Sequence, residues 1–252
     1  MKLNIGSAVS GILALNGADV HMVSKTEKKL HEIKRNLENI TGSNINYSSL
    51  NLFDRQSVRK FVAKLPKDKP IYWVQSVGLG AGSYKLKDDN PYLPIDKIPL
   101  ELLNKECDAV LRSVHIMMQE FLPIFKKQSE TRIVIISSMS AIRGYEIGAA
   151  HCAAKGAIDR YSNSATLSLY KENIFITSLR PGIVDTGMYD GKSTIDAVKT
   201  VGKSYGVIYK GKHIPLAPPS SIGEAVKYIL STSSHPVSLN LVARGQWPNE
   251  GS

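Results

Sequence analysis

Residues 132–138, with the sequence RIVIISS, lead through MSAIRGYEIG at 139–148 into the alanine-rich segment AAHCAAKGAIDRYSNSATLSLY at 149–170. The first segment is a short apolar run rich in isoleucine and valine, which predicts a strand buried on both faces. The alanine-rich segment predicts a helix of about six turns. A buried strand that is followed by a long helix is the repeating unit of a parallel α/β sheet.

The same alternation extends in both directions from this segment. Strands are predicted at 19–24, 45–52, 71–76, 132–138, 174–179 and 238–243, and helices at 27–40, 54–65, 102–125, 149–170 and 221–230. This order predicts a single Rossmann-like α/β domain over 1–252, with a doubly wound parallel sheet and helices on both faces. Ligands of such folds bind at the carboxyl ends of the strands. The irregular stretch 185–219 predicts a lid or substrate-binding loop.

Composition narrows the classes of partner that the sequence favours. The chain of 252 residues is 42% hydrophobic with a net charge of +10, but its lysines are not interleaved with aromatic residues, so we expect no nucleic-acid partner. We predict a cytoplasmic protein without a membrane span or signal peptide, because no apolar run reaches about 18 residues. We predict no metal site, since Cys107, Cys152, His213 and His235 lack companions at ligand spacing.

Two segments carry a resemblance to a known family. Residues 136–169 resemble the catalytic strand and helix of the classical short-chain dehydrogenase/reductase family, and RPGIVDT at 180–186 is similar to its PGxVxT motif. The resemblance extends from residue 19 towards the C-terminus. It places Ser138 at the catalytic serine and Lys155 at the lysine of the YxxxK motif. It implies a Rossmann-like fold and carbonyl chemistry that depends on NAD(P).

Two of the family's four catalytic groups are replaced. The family uses asparagine, serine, tyrosine and lysine, and its tyrosine exchanges a proton with the substrate oxygen. Here His151 stands at the tyrosine position and Val110 at the asparagine position. We predict Ser138, His151 and Lys155 as the catalytic residues, because an imidazole is a competent acid or base at neutral pH. The sequence reveals no carboxylate that would orient His151, and Tyr145 is a further candidate for the proton donor.

The glycine-rich loop that cradles the cofactor pyrophosphate in this family is incomplete, and three interpretations remain open. One takes Gly6 as the third glycine and Asn4 as the second, with the first lying before Met1. The second, which we prefer, takes residues 1–5 as the central strand joined directly to a helix at Gly6, because losing that strand would expose two inner sheet edges. The third places the true start of the protein upstream.

Other positions that contact the cofactor in the family are also altered. Asn51 stands in place of the aspartate that contacts adenine, and QSVG at 75–78 in place of the NNAG motif. Lys25 lies where a basic residue favours the 2′-phosphate of NADP, and Thr186 matches the threonine that contacts the nicotinamide. Gly6, Lys25 and Thr186 are therefore the predicted cofactor-binding residues. Without a complete phosphate loop we expect no tightly bound cofactor, and NADP is the candidate for a weakly bound one.

These observations support three hypotheses about function. We favour a repurposed acid/base enzyme that isomerises, dehydrates or cyclises a carbonyl-containing small molecule without tight NAD(P) binding. The first alternative is a non-catalytic partner subunit of an intact member of the family. The second is an NADP-dependent carbonyl oxidoreductase with a weakened site. Because the family associates through the helices corresponding to 102–125 and 149–170, we expect a homo-oligomer or a hetero-oligomer with another family member.

Overall fold

The computed structural model describes residues 3–78, 92–187, 215–244 and 246. Within these ranges the helices are α1 (Ile5–Leu15), α2 (Glu27–Thr41), α3 (Arg55–Ala63), α4 (Leu100–Cys107), α5 (Ser113–Phe125), α6 (Ala149–Leu169) and α7 (Pro219–Ser231), and the strands are β1 (His21–Ser24), β2 (Asn46–Ser49), β3 (Trp73–Gln75), β4 (Thr131–Ile136), β5 (Ile174–Pro181) and β6 (Ser238–Leu241). The boundaries of the predicted strands agree to within three residues.

All of these strands run parallel to their neighbours, in two groups. Strands β3, β4, β5 and β6 form a four-stranded sheet in that order, and β1 pairs with β2. Ile133 of β4 lies opposite Trp73 on one side and Ile176 on the other. Every residue of β4 is buried, as its apolar sequence predicted. The structure therefore has the Rossmann-like α/β fold that the sequence predicted.

Helices cover both faces of the four-stranded sheet. On one face, Ile133 and Ile135 pack against α5 and α6 in the larger hydrophobic cluster. On the other face, Val134 and Ile136 pack against α1 and α7 in a second cluster. Successive residues of β4 thus serve opposite faces of the sheet, because side chains alternate along a strand. Burial on both faces explains why this strand is apolar at nearly every position.

The preferred prediction of a strand at residues 1–5 is wrong in the part that the structure describes. Asn4 has an extended backbone, and its side-chain Oδ1 accepts a hydrogen bond from the Ser7 N–H at 2.9 Å. This is the bonding pattern of a helix N-cap, so the chain is already helical at Ile5. Residues 1–2 lie outside the described part.

A gap consequently separates the two groups of strands. In the described residues no strand lies between β1 and β3, and residues of both strands line one large cavity. The pair β1–β2 is held instead by packing, because Val20 and Met22 join α1 and α2 in a third hydrophobic cluster. The two inner sheet edges that the sequence analysis expected to be covered are therefore unpaired within the described part of the chain.

The long helix predicted at 102–125 is divided. It begins at Leu100, and a π-helical turn over Asp108–Arg112 separates α4 from α5. A π turn inserts an extra residue into a helix and is frequent at functional sites. Here the turn contains Val110, which is buried in the hydrophobic core.

The predicted lid at 185–219 falls mostly outside the described residues. At its ends, Val184 forms an isolated parallel bridge with Ala217, so the two flanks of the segment lie side by side at the end of the sheet. None of the helices that the structure describes combines the length and apolar character needed to cross a bilayer.

A buried ionic cluster fastens α6 to β5. The carboxylate of Asp159, fully buried, accepts hydrogen bonds from Arg180 Nε at 2.8 Å and Nη2 at 2.9 Å, and one from the Ser178 hydroxyl. Burial acts to raise the pKa of Asp159, but the hydrogen bonds from Arg180 and Ser178 outweigh it and hold that pKa below its ordinary value. The pair therefore stays ionised inside the protein.

We expect Asp159→Asn to lower the free energy of unfolding by about 3–5 kcal/mol, because it leaves the buried Arg180 guanidinium without its counter-charge. Equilibrium unfolding in urea measures this loss. Asp108→Asn is the matched control, since Asp108 is half exposed and lies 3.7 Å from Arg112; its effect should stay below about 0.5 kcal/mol. Equal effects of the two substitutions would contradict the structural role given to Asp159.

Candidate active site

A cavity of about 1140 Å³ opens at the carboxyl ends of the strands and extends into the gap between β1 and β3. The predicted catalytic residues Ser138, His151 and Lys155 line it together. Of the predicted cofactor-binding residues, Gly6 and Thr186 line the same cavity. Lys25 is exposed, does not line the cavity and directly follows β1.

Ser138 lies at the point where the chain leaves β4. Its backbone is extended, and its Oγ accepts a hydrogen bond from the Ser140 N–H at 3.1 Å, which caps a short 3₁₀ turn over Met139–Ala141. A serine hydroxyl has two lone pairs and one proton. Because the turn uses only acceptor capacity, the proton of Ser138 remains able to donate to a ligand oxygen in the cavity.

Lys155 is buried, and its Nζ donates a hydrogen bond to the Ile136 carbonyl at 3.1 Å. Burial lowers the pKa of Lys155 to about 8, and the nearby charge of Glu106 partly opposes that shift. An ammonium with a pKa this close to neutrality loses its proton far more readily than a surface lysine does. The side chain is therefore suited to proton exchange as well as to hydrogen bonding.

His151 precedes Lys155 by one helical turn on α6, so both side chains project from the same face of the helix. Its Nδ1 lies 3.6 Å from Oε1 of Glu106, whose side chain is almost completely buried. The ring of Tyr92 also packs edge-on to the imidazole, with 6.1 Å between ring centroids. Glu106 thus supplies the carboxylate beside His151 that the sequence did not reveal.

The sequence did not reveal Glu106, because the residue beside it in the structure, His151, is 45 positions away on another helix. A faint signal was present, since it lies four residues before Val110 and so one turn from the asparagine position of the family. Tyr145, the other candidate proton donor, is half-buried but is not among the residues that line the cavity.

The cofactor end of the cavity lies at the N-terminus of α1. A Cβ on Gly6 would approach Ser76 Oγ to 2.9 Å, so glycine permits the helix to pack closely against the segment after β3. Gln75 also lines the cavity, and its buried Nε2 has no hydrogen-bond partner among the described residues. A helix N-terminus with an unsatisfied amide donor nearby suits an anionic or polar ligand.

In the described residues no group of three or more His, Cys, Asp or Glu side chains is placed to hold a metal ion. The cavity is instead lined by the Ser138 hydroxyl, the His151 imidazole and the Lys155 amine. That set of groups suits hydrogen bonding and proton transfer at a carbonyl or hydroxyl oxygen.

The family model described as short chain dehydrogenase matches residues 3–196. The chain belongs to the short-chain dehydrogenase family. The resemblance drawn from the catalytic strand and helix is therefore confirmed.

Relatives of this short-chain dehydrogenase are described as oxidoreductases. One, an uncharacterized oxidoreductase of Staphylococcus epidermidis, is 26% identical over 234 residues, which cover 92% of this chain and 88% of that protein. The fold is similar to that of an alcohol dehydrogenase from Thermococcus sibiricus complexed with 5-hydroxy-NADP, with a TM-score of 0.73 and 21% identity over 94% of this chain and 91% of that one. It is also similar to an NADPH-bound short chain oxidoreductase from Pseudomonas aeruginosa that contains an atypical catalytic center, with a TM-score of 0.75 and 18% identity over 94% and 91% of the two chains.

We expect Lys155→Met to stabilise the protein at about pH 7 by on the order of 1 kcal/mol, because it removes a buried ammonium and keeps the side-chain length. The pKa of Lys155 is about 8 when folded and 10.5 ordinarily. Between these values the folded protein binds fewer protons than the unfolded chain, so the stability of the wild type rises with pH. The advantage of methionine should therefore shrink towards about pH 10.

Thermal melts of both proteins across this pH range test the expectation. Lys171→Met, at an exposed lysine, serves as the control and should show no such pH dependence. A lower melting temperature for Lys155→Met at neutral pH would instead mean that the hydrogen bond to the Ile136 carbonyl outweighs the cost of burying the charge.

Proposed function

We propose that this short-chain dehydrogenase is an NADP(H)-dependent oxidoreductase that interconverts a carbonyl and an alcohol, with His151 as the proton donor in place of tyrosine. The observation that carries the proposal is that His151, Ser138 and Lys155 line one cavity that continues to the N-terminus of α1. A substrate oxygen and a dinucleotide therefore have a shared space. The oxidoreductase names of the relatives and the NADP(H) bound by structural neighbours support the same conclusion.

The residues present fit a nicotinamide dinucleotide in part. Gln75 Nε2, which has no partner in the part of the chain that the structure describes, and the α1 N-terminus offer donors to phosphate or amide oxygens. Thr186 would hold the nicotinamide end. Lys25, exposed after β1, would meet a 2′-phosphate and favour NADP over NAD. Asn4 already caps the Ser7 N–H, so binding at α1 competes with that cap and should be weak.

The residues of the chain divide the chemistry of reduction between them. A nicotinamide cofactor, when bound, supplies the hydride that reaches the carbonyl carbon. His151 gives its proton to the carbonyl oxygen, so an alcohol forms and the cofactor is left oxidised. Ser138 donates a hydrogen bond to that oxygen as negative charge develops on it. Lys155, with its pKa of about 8, returns a proton to the site.

A second candidate is the acid/base reaction without hydride transfer that the sequence analysis favoured: isomerisation, dehydration or cyclisation of a carbonyl compound. The capping of Ser7 by Asn4 favours it, because the cap already uses a backbone donor that a dinucleotide phosphate would need. The same Ser138, His151 and Lys155 would serve. The non-catalytic alternative accords less well with the buried Lys155 and Glu106, since burying charges is costly to a fold that has no use for them.

Titration with NADPH and NADH, followed by thermal melting, separates the two candidates. Saturation at a hundred times Kd stabilises a folded protein by about 2.7 kcal/mol, or roughly 5–10 °C for a domain of this size. We expect a smaller rise in melting temperature than this, and one that is greater with NADPH than with NADH. The preference for NADPH should be lost in Lys25→Gln and kept in the control Lys28→Gln, which changes an exposed lysine of α2. No rise with either nucleotide at millimolar concentration would exclude the redox proposal.

Substitution of His151 tests the proton donor. With a panel of aldehydes and ketones, His151→Gln should lower kcat for NADPH oxidation by at least about 100-fold, the usual contribution of a general acid. His151→Tyr should retain turnover because it restores a phenol at the same position. His115→Gln is the control, since His115 is exposed on α5 and contacts Tyr161. Unchanged turnover in His151→Gln would remove His151 from the mechanism.

A further inference from the structure

Glu106 is a buried carboxylate on the wall of the cavity. It lies in the last turn of α4, two residues before the π turn begins, and is 1% exposed. Asp19 and Asp68, the other carboxylates among the described lining residues, are exposed. A carboxylate is expensive to bury unless charged or hydrogen-bonding groups face it. The position of Glu106 therefore calls for partners inside the site.

The charged and polar groups near Glu106 are His151 and Lys155, which lie one turn apart on α6. Oε1 lies 3.6 Å from Nδ1 of His151, and its charge acts on the Lys155 ammonium, opposing the lowering of that pKa. The separation of 3.6 Å is longer than a hydrogen bond. Contacts of this kind are often long without substrate and shorten in the complex, when charge develops on the imidazole.

An imidazole, unlike the phenol of a tyrosine, has to be held so that one particular nitrogen faces the substrate. Its two nitrogens are distinct, and the bond made by one decides which nitrogen remains for the substrate. The titratable side chains that the described residues place around His151 are Glu106 from α4, Lys155 and Cys152 from α6, and Tyr92 from the segment before α4. Of these, Glu106 is the one whose carboxylate oxygen lies next to Nδ1, where it can accept a hydrogen bond from the ring N–H.

We propose that Glu106 is a positioning residue for His151: it accepts the Nδ1–H, which fixes the ring and leaves Nε2 as the atom that exchanges a proton with the substrate oxygen. This inference rests on the proposed use of His151 as acid and base. Glu106 also offsets the positive charge of Lys155. When His151 takes up a second proton, the imidazolium therefore has the Glu106 carboxylate near it as well as the Lys155 ammonium. The substitution of the family's tyrosine by histidine is thus matched by a carboxylate one helical turn from the position where the family keeps its asparagine.

Nitrogen-detected NMR of the histidine rings tests this in the free protein. The His151 signals are assigned by their loss in His151→Gln, and spectra are recorded across a pH series for the wild type, Glu106→Gln and Glu101→Gln. Glu101 is an exposed glutamate on the same helix. Gln keeps the size of the side chain at 106 and removes a buried charge, so the fold is retained; circular dichroism and the melting temperature verify this.

We expect neutral His151 to carry its proton on Nδ1 in the wild type. In Glu106→Gln the neutral ring should shift towards the Nε2–H tautomer, because an amide can donate as well as accept and no longer fixes the proton on Nδ1; Glu101→Gln should leave the wild-type tautomer in place. An Nε2–H tautomer in the wild type, or an unchanged tautomer in Glu106→Gln, overturns the inference.

This readout is independent of turnover. If no carbonyl compound is reduced but His151 responds to Glu106 as described, the proposed function fails and the positioning role stands. If reduction occurs and depends on His151, kcat should fall by at least about ten-fold in Glu106→Gln and stay unchanged in Glu101→Gln, because a ring in the wrong tautomer no longer presents the reacting nitrogen to the substrate. KM should stay within about two-fold of the wild type because the substrate contacts are kept. An unchanged kcat in Glu106→Gln would count against the positioning role.

Discussion

One row of side chains on α6, spaced four residues apart, sets the geometry on which the site depends. Asp159 is bonded to an arginine of β5 and fixes the helix against the sheet. One turn earlier Lys155 donates to a backbone carbonyl at the end of β4, and another turn earlier His151 approaches Glu106 on α4. Because these residues share one face of the helix, the buried ion pair that holds α6 in place also determines where the chemical groups lie. Fold stability and site geometry are thus carried by the same helix face.

Val110 and Glu106 lie one helical turn apart and have different surroundings. Val110, which the resemblance places at the asparagine position of the family, is buried in the hydrophobic core, whereas Glu106 lines the cavity and lies beside His151. The π turn over Asp108–Arg112 begins between them. An apolar side chain that faces the core and a carboxylate that faces the cavity thus follow one another along the same helical segment.

Much of the fold was predictable from local pattern, because a buried parallel strand such as β4 has to be apolar at nearly every position. Ser138, His151 and Lys155 could be placed together since a strand end and one helix face carry them. The preferred prediction for the N-terminus was wrong, because residues 1–5 are too few to show the periodic pattern of a strand or a helix. Asn4 caps a helix there, although inner edges of a sheet are usually covered by a strand. Glu106 was missed because its contact joins two helices that are distant in sequence. Contacts of that kind follow from packing, which a single sequence does not display.

Side-chain packing links β1 and β2 to the rest of the sheet, since no strand of the described residues bridges β1 and β3. α1 lies along α7 on one side and against α2 on the other, and so ties the two parts together. Folded proteins open in cooperative units, and units with fewer backbone hydrogen bonds to their surroundings open at lower free energy. We therefore expect the unit formed by β1, α2 and β2 to detach before the four-stranded sheet does, since α1 itself packs against Val134 and Ile136 of that sheet. Its amides exchange with solvent through this partial unfolding, whereas those of β4 and β5 exchange only when the whole domain unfolds.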